Sequence, residues 1–162
     1  MPLDDLFELR TASEEAIRAT FVAMQFTAIT RANAPVDFQK ARPRIEIKCS
    51  IGAATGHRFF CPDNIARYDR WRLSLALQCI TAPDNDGTSA LHEVFTSRVR
   101  NTVATLAQQS WSDLVNFPLH RLAEPFRDTG DQSTLKTEEG VEYTVLSFSN
   151  VICIRETAWT LS

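Results

Sequence analysis

Between Arg70 and Ala82 the chain reads Arg-Trp-Arg-Leu-Ser-Leu-Ala-Leu-Gln-Cys-Ile-Thr-Ala, and every odd position from Trp71 to Cys79 is apolar. Arg72, Ser74 and Gln78 stand between them. Side chains alternate across a strand, so this spacing predicts one oily face and one mostly polar face. A second stretch alternates more cleanly still. From Arg44 to Ile51, Ile45, Ile47, Cys49 and Ile51 point one way, with Arg44, Glu46, Lys48 and Ser50 opposite. Two half-buried strands need a further layer to bury their oily rows, which excludes an all-helical bundle.

The covering layer is legible as helices. Thr11-Ala12-Ser13-Glu14 fits a capping box, and Ile17, Phe21 and Met24 follow at helical spacing, predicting a helix over about residues 12–25. Leu3, Leu6, Phe7 and Leu9 form a lead-in turn in this reading. Leu91, Phe95, Val99, Val103 and Leu106 recur every three or four residues after a Pro83–Gly87 turn, predicting a long central helix. Strand formers also fill Phe26–Arg31 and the closing stretch Val141–Glu156. In that closing strand Leu146, Phe148, Ile152 and Ile154 share a face, whereas Val141, Tyr143 and Val145 start on the other. A bulge, or cover on both faces near its beginning, would explain the change. Ala32–Arg42, Gly52–Arg67 and Asp128–Asp131 read as loops or turns, Trp111–Val115 as a short helical turn, and Pro125 makes His120–Asp128 ambiguous. The order predicts a single α+β domain over residues 1–162. A mixed or mainly antiparallel sheet would pack against an N-terminal helix and one long central helix.

Charge and cysteine usage narrow the classes of function. The formal net charge is −3, which weighs against a protein whose surface grips nucleic-acid phosphates, since Lys and Arg supply that affinity. The opening Met1-Pro2-Leu3-Asp4-Asp5 is acidic and no apolar run follows it, so neither a signal peptide nor a membrane span is expected. Cys49, Cys61, Cys79 and Cys153 contain no C-x-x-C pair, and reduced thiols packed as small hydrophobes are expected.

Few constellations offer chemistry. Glu46 and Lys48 lie two apart on a strand and point the same way, as the last acid and the Lys of a metal-dependent PD-(D/E)xK nuclease would, with Asp37 the nearest further acid. An acid-x-Lys triplet arises by composition alone roughly 0.4 times in such a chain, so a solvent-facing ion pair explains it as well. His57, His92 and His120 show no zinc-ligand spacing, and His92 is expected at the surface near a helix start. Gly52-Ala53-Ala54-Thr55-Gly56 lacks a Walker A Lys and dinucleotide spacing. Arg98 and Arg100 read as a solvated helix face, and Trp71 and Trp159 as packing or strand-end anchors. No catalytic, cofactor-binding or metal-binding residue is assigned.

Taken together, the N-terminal helix, Pro43-Arg44-Ile45-Glu46-Ile47-Lys48-Cys49, the strand opening on Trp71, the helix Leu91–Leu106 and the closing Ile154-Arg155-Glu156-Thr157-Ala158-Trp159 resemble the tail-terminator and tail-completion proteins of long-tailed bacteriophages. The resemblance covers nearly the whole chain in element order and implies a structural virion protein rather than an enzyme. Such proteins form a ring, usually hexameric, on the end of the tail tube in the virion, after assembly in the host cytoplasm. The ring stops tube polymerisation and offers a head-completion or connector protein its docking surface. DNA would pass through the lumen without specific binding, and no cofactor is implied. The Gly52–Arg67 loop and the acidic Asp84–Gly87 turn are the expected contact segments. A small Mg²⁺-dependent nuclease centred on Glu46 and Lys48, another neck adaptor, and an oligomeric adaptor with no phage context remain as alternatives.

Overall fold

The computed structural model describes residues 2–60, 67–82, 90–106, 120–123 and 126–155. The two alternating stretches pair as expected. β2 (Arg44–Phe60) lies antiparallel to β3 (Arg67–Thr81), with Cys49 opposite Leu75 and Ile47 opposite Leu77. β3 in turn lies antiparallel to β6 (Glu142–Arg155), which sets Leu146 opposite Leu77 and Phe148 opposite Leu75. The oily rows therefore fall on one face as a continuous floor.

Around these three strands the sheet is completed by short elements. β1 (Ala28–Ile29) runs parallel to β2, while β4 (His120–Ala123) and β5 (Arg127–Lys136) both pair antiparallel with β6. The order β1-β2-β3-β6-β4, with β5 also on β6, makes a six-stranded mixed sheet. α1 (Pro2–Ala23) covers β2 and β1, and α3 (Ala90–Leu106) covers β3 and β6. A four-residue helix, α2 (Val36–Gln39), sits beside β1. The α+β class and its two packed helices are as expected. Among the described residues no helix is long and apolar enough to cross a membrane.

The core lies between the helices and this floor. Ile17 and Phe21 from α1 and Phe95, Val99, Val103 and Leu106 from α3 join Ile45, Ile47, Leu73, Leu75, Leu77, Leu146 and Phe148 in one buried cluster. Met24, expected in the α1 stripe, is half exposed because the helix has ended. Its end is a Schellman motif. Gln25 adopts φ 66°, its N–H donates to Val22 O at 2.9 Å, and Phe26 N–H donates to Phe21 O at 3.0 Å. The accompanying apolar contact is a T-shaped pair of the Phe21 and Phe26 rings, with centroids 5.4 Å apart.

Several boundaries depart from the sequence reading. α1 begins at Pro2, so the Thr11–Glu14 box lies inside the helix and the lead-in turn is helical. Phe26–Arg31 yields only the two residues of β1, and the loop after it contains α2. Gly52–Phe60 is not a loop: β2 continues through it, and register shifts between Ile51 and Ala54 and between Ala54 and Arg58 place extra residues on β2. Glycines and alanines accommodate such bulges, which is why the stretch imitates a connection. Likewise Asp128–Gly130 is a bulge within β5 rather than a turn, with Gly130 at φ 77° and its N–H bonded to Asp128 Oδ1 at 2.9 Å. β6 itself pairs with β3 without a register shift, so no bulge against β3 produces the two-sided pattern of its early residues. Residues 61–66, the Asp84–Gly87 turn, Trp111–Val115 and Trp159 lie outside the described residues, as does the side chain of Trp71.

Candidate functional site

β1 is too short to cover the edge of β2, and the exposed edge is closed by side chains instead. The Glu14 carboxylate accepts the Cys49 N–H at 2.9 Å and pairs with Arg31 Nη2 at 3.0 Å. Arg31 Nη2 also donates to the Cys49 carbonyl at 2.6 Å. Both backbone groups that Cys49 turns away from β3 are thereby satisfied, and the edge cannot recruit a stray strand there. Glu14 lies inside α1 with its carboxylate turned to Cys49, so it does not cap the helix; its local motif matched a capping box by coincidence. Burial, with the Glu14 charge nearby, pushes the Cys49 thiol far above its ordinary range, and burial pushes the Cys79 thiol up to about 12. Both are inert packing groups, as expected.

On the face away from the helices the polar row of each strand meets its neighbours in register. Ser50, Ser74 and Ser149 form one rung across β2, β3 and β6. The next rung is Lys48, Ala76 and Ser147. With Arg72, further along β3, and Arg31 at the β2 edge, they line a recess of about 560 Å³. Thr129 of the β5 bulge closes its far side, donating to the Ser147 carbonyl at 3.1 Å. Among the described residues no carboxylate lines this recess. Lys48 and Arg72 are exposed there, with no acidic partner among those residues. Towards the other end of the face Ile80 is buried.

The nuclease constellation is not assembled. Glu46 and Lys48 do share a face and a shallow recess of about 350 Å³, but Asp37 on α2 does not line it. Glu46 Oε1 is held by Arg44, at 3.2 Å from Nε and 3.1 Å from Nη2. Among the described residues no group of three or more His, Cys, Asp or Glu is placed to hold a metal ion.

His92 is 5% exposed, not a surface residue. Its Nδ1 lies 2.9 Å from Thr81 Oγ1 and its Nε2 2.6 Å from Thr144 Oγ1, tying α3 to β3 and β6. Burial holds its pKa below the ordinary histidine value, against smaller upward pulls from Glu142 and Glu93. A threonine hydroxyl beside a histidine could suggest a nucleophile and base, but Thr81 and Thr144 are each 1% exposed, so no substrate reaches them. Arg100 is not simply solvated either: it bonds the Asp128 carboxylate and Gln132, pinning the β5 bulge to α3. Arg98 lies over the Phe26 ring at 4.8 Å.

The two edges of the sheet carry exposed apolar side chains of different kinds. Val36 (68% exposed) and Phe38 (39%) stand on α2 beside β1, and Leu135 (64%) stands on β5 at the opposite edge. Leu135 adjoins Tyr143 and Val145 in a recess of about 380 Å³.

No protein-family model and no curated protein matches this chain.

Among the described residues the arrangement offers a cationic, hydroxyl-rich sheet face and an apolar patch at each edge. The individual residues were visible in the sequence as the polar positions of alternating strands. Their grouping was not, because it depends on pairing between strands far apart in the chain.

Proposed function

We propose that the chain is a ring-forming structural protein of the tail-terminator class. One observation carries the reading: two unlike apolar patches, Val36 with Phe38 and Leu135 with Tyr143, lie at opposite edges of one sheet. A patch that meets its own copy makes a two-fold dimer, whereas two different patches at opposite edges favour head-to-tail contacts, which close into a ring when the rotation permits. The order α1, β2, β3, α3, β6 agrees with the layout expected of that class and supports the same reading. In this account six copies close on the end of the tail tube, stop its growth and present the docking surface for a head-completion or connector protein. The DNA passes through the lumen.

Gly52–Phe60, expected as part of a long connection, extends the β2–β3 hairpin, and the reading adds the two sheet edges to the expected contact segments. Adding the purified protein to polymerising tail-tube subunits tests the activity. Tubes of uniform, shortened length with one capped end are expected; unchanged length distributions and bare ends would overturn the reading.

A further inference from the structure

We infer that the recess on the helix-free face of the sheet binds the phosphate backbone of duplex DNA, without regard to base sequence. Cations reach it from three elements: Arg31 beyond β1, Lys48 on β2 and Arg72 on β3. Ser50, Ser74 and Ser149 form a rung of hydroxyls between them, and among the described residues these have no hydrogen-bond partner. Cationic nitrogens and small hydroxyls are the groups that hold phosphate oxygens, and among the described residues no carboxylate lines the recess to repel them.

Spacing points to a polyanion instead of a single anion. Lys48 is in register with Ala76, and Arg72 stands further along the same face of β3, so their backbone positions are about 13 Å apart along the strand direction at roughly 3.3 Å per residue. Cations so spread match charges repeated along a chain. Arg31 is already committed to Glu14 and the Cys49 carbonyl, which leaves Lys48 and Arg72 as the groups free to displace counterions. The overall charge of −3 keeps the affinity low, so the contact guides DNA and does not clamp it. This inference needs only one chain and does not rest on ring closure.

Fluorescence anisotropy of a short labelled duplex of mixed sequence, titrated with the protein over a range of salt, tests it. Two displaced counterions give a slope of log affinity against log salt of about −2. Lys48→Ala and Arg72→Ala should each reduce that slope by about 1. Lys48→Arg should retain it, and Lys136→Ala, on β5 outside the recess, should leave it unchanged. Circular dichroism confirms that each variant is folded; a variant that fails this check is replaced by Lys48→Gln or Arg72→Gln. No anisotropy change at low salt, a wild-type slope in both alanine variants, or equal competition by polyglutamate would overturn the inference. Rings that fail to bind duplex overturn this inference alone, and duplex binding by a chain that never assembles overturns the terminator reading alone.

Discussion

The Glu14 carboxylate accepts a hydrogen bond from the backbone N–H of Cys49 at 2.9 Å, across 35 residues of sequence. A helix side chain thus replaces the missing neighbour strand at the β2 edge. Glu14→Ala leaves that buried N–H unpaired, which costs about 1–3 kcal/mol. Arg31 is 44% exposed at its side chain, but Arg31→Ala takes the cation from the buried Glu14 carboxylate and the donor from the Cys49 carbonyl, so it too should destabilise the fold clearly. Urea unfolding of the two variants beside the wild type measures both losses.

His92 makes stability depend on pH in one direction. Burial lowers its pKa in the folded state, so the unfolded chain binds the proton more readily. Stability from the neutral ring is complete above the unfolded value of about 6.5 and is lost as pH falls below it towards the lower folded pKa. Glu142 and Glu93 face the ring and soften the effect without reversing it. The urea midpoint should fall between pH 7.5 and pH 5.5 by more in wild type than in His92→Gln.

Gln25 occupies a left-handed position at the end of α1 where glycine is the usual residue. Gln25→Gly removes the steric cost of that conformation but loosens the unfolded chain, for a net gain of up to about 1 kcal/mol. The thermal midpoint should rise, and the Phe21–Phe26 contact should persist in near-ultraviolet circular dichroism.

Unlike patches at opposite edges make a mixing experiment informative. Val36→Asp disables one edge and Leu135→Asp the other, leaving each variant one intact edge. Each variant alone should remain monomeric. Mixed together, they should form dimers and nothing larger, as sedimentation velocity would show. Rings formed by either variant would mean that assembly uses other surfaces.

Much of the fold was readable in short-range pattern. The alternation of Leu73, Leu75, Leu77 and Cys79 marks a strand whatever its neighbours, and the Phe95–Leu106 stripe marks its helix. The misreadings share a cause in long-range pairing. Glu14 looked like half of a capping box because its partner, Cys49, is distant. His92 looked exposed because the threonines that bury it belong to β3 and β6. Gly130 looked like a turn residue because its bulge uses the left-handed backbone that a turn also uses, and Gly52 because a glycine inside a strand imitates a connection. The cationic recess was unreadable for the related reason that Lys48, Arg72 and Ser149 meet only through strand register.

The central claim is closure of copies into a ring through the two sheet edges. Native mass spectrometry of the protein over a range of concentrations, alone and bound to tail-tube ends, tests it most directly. A single closed species of six chains is expected, either free or formed on the tube as template. A strict monomer in both conditions, with tube ends left uncapped, would contradict it.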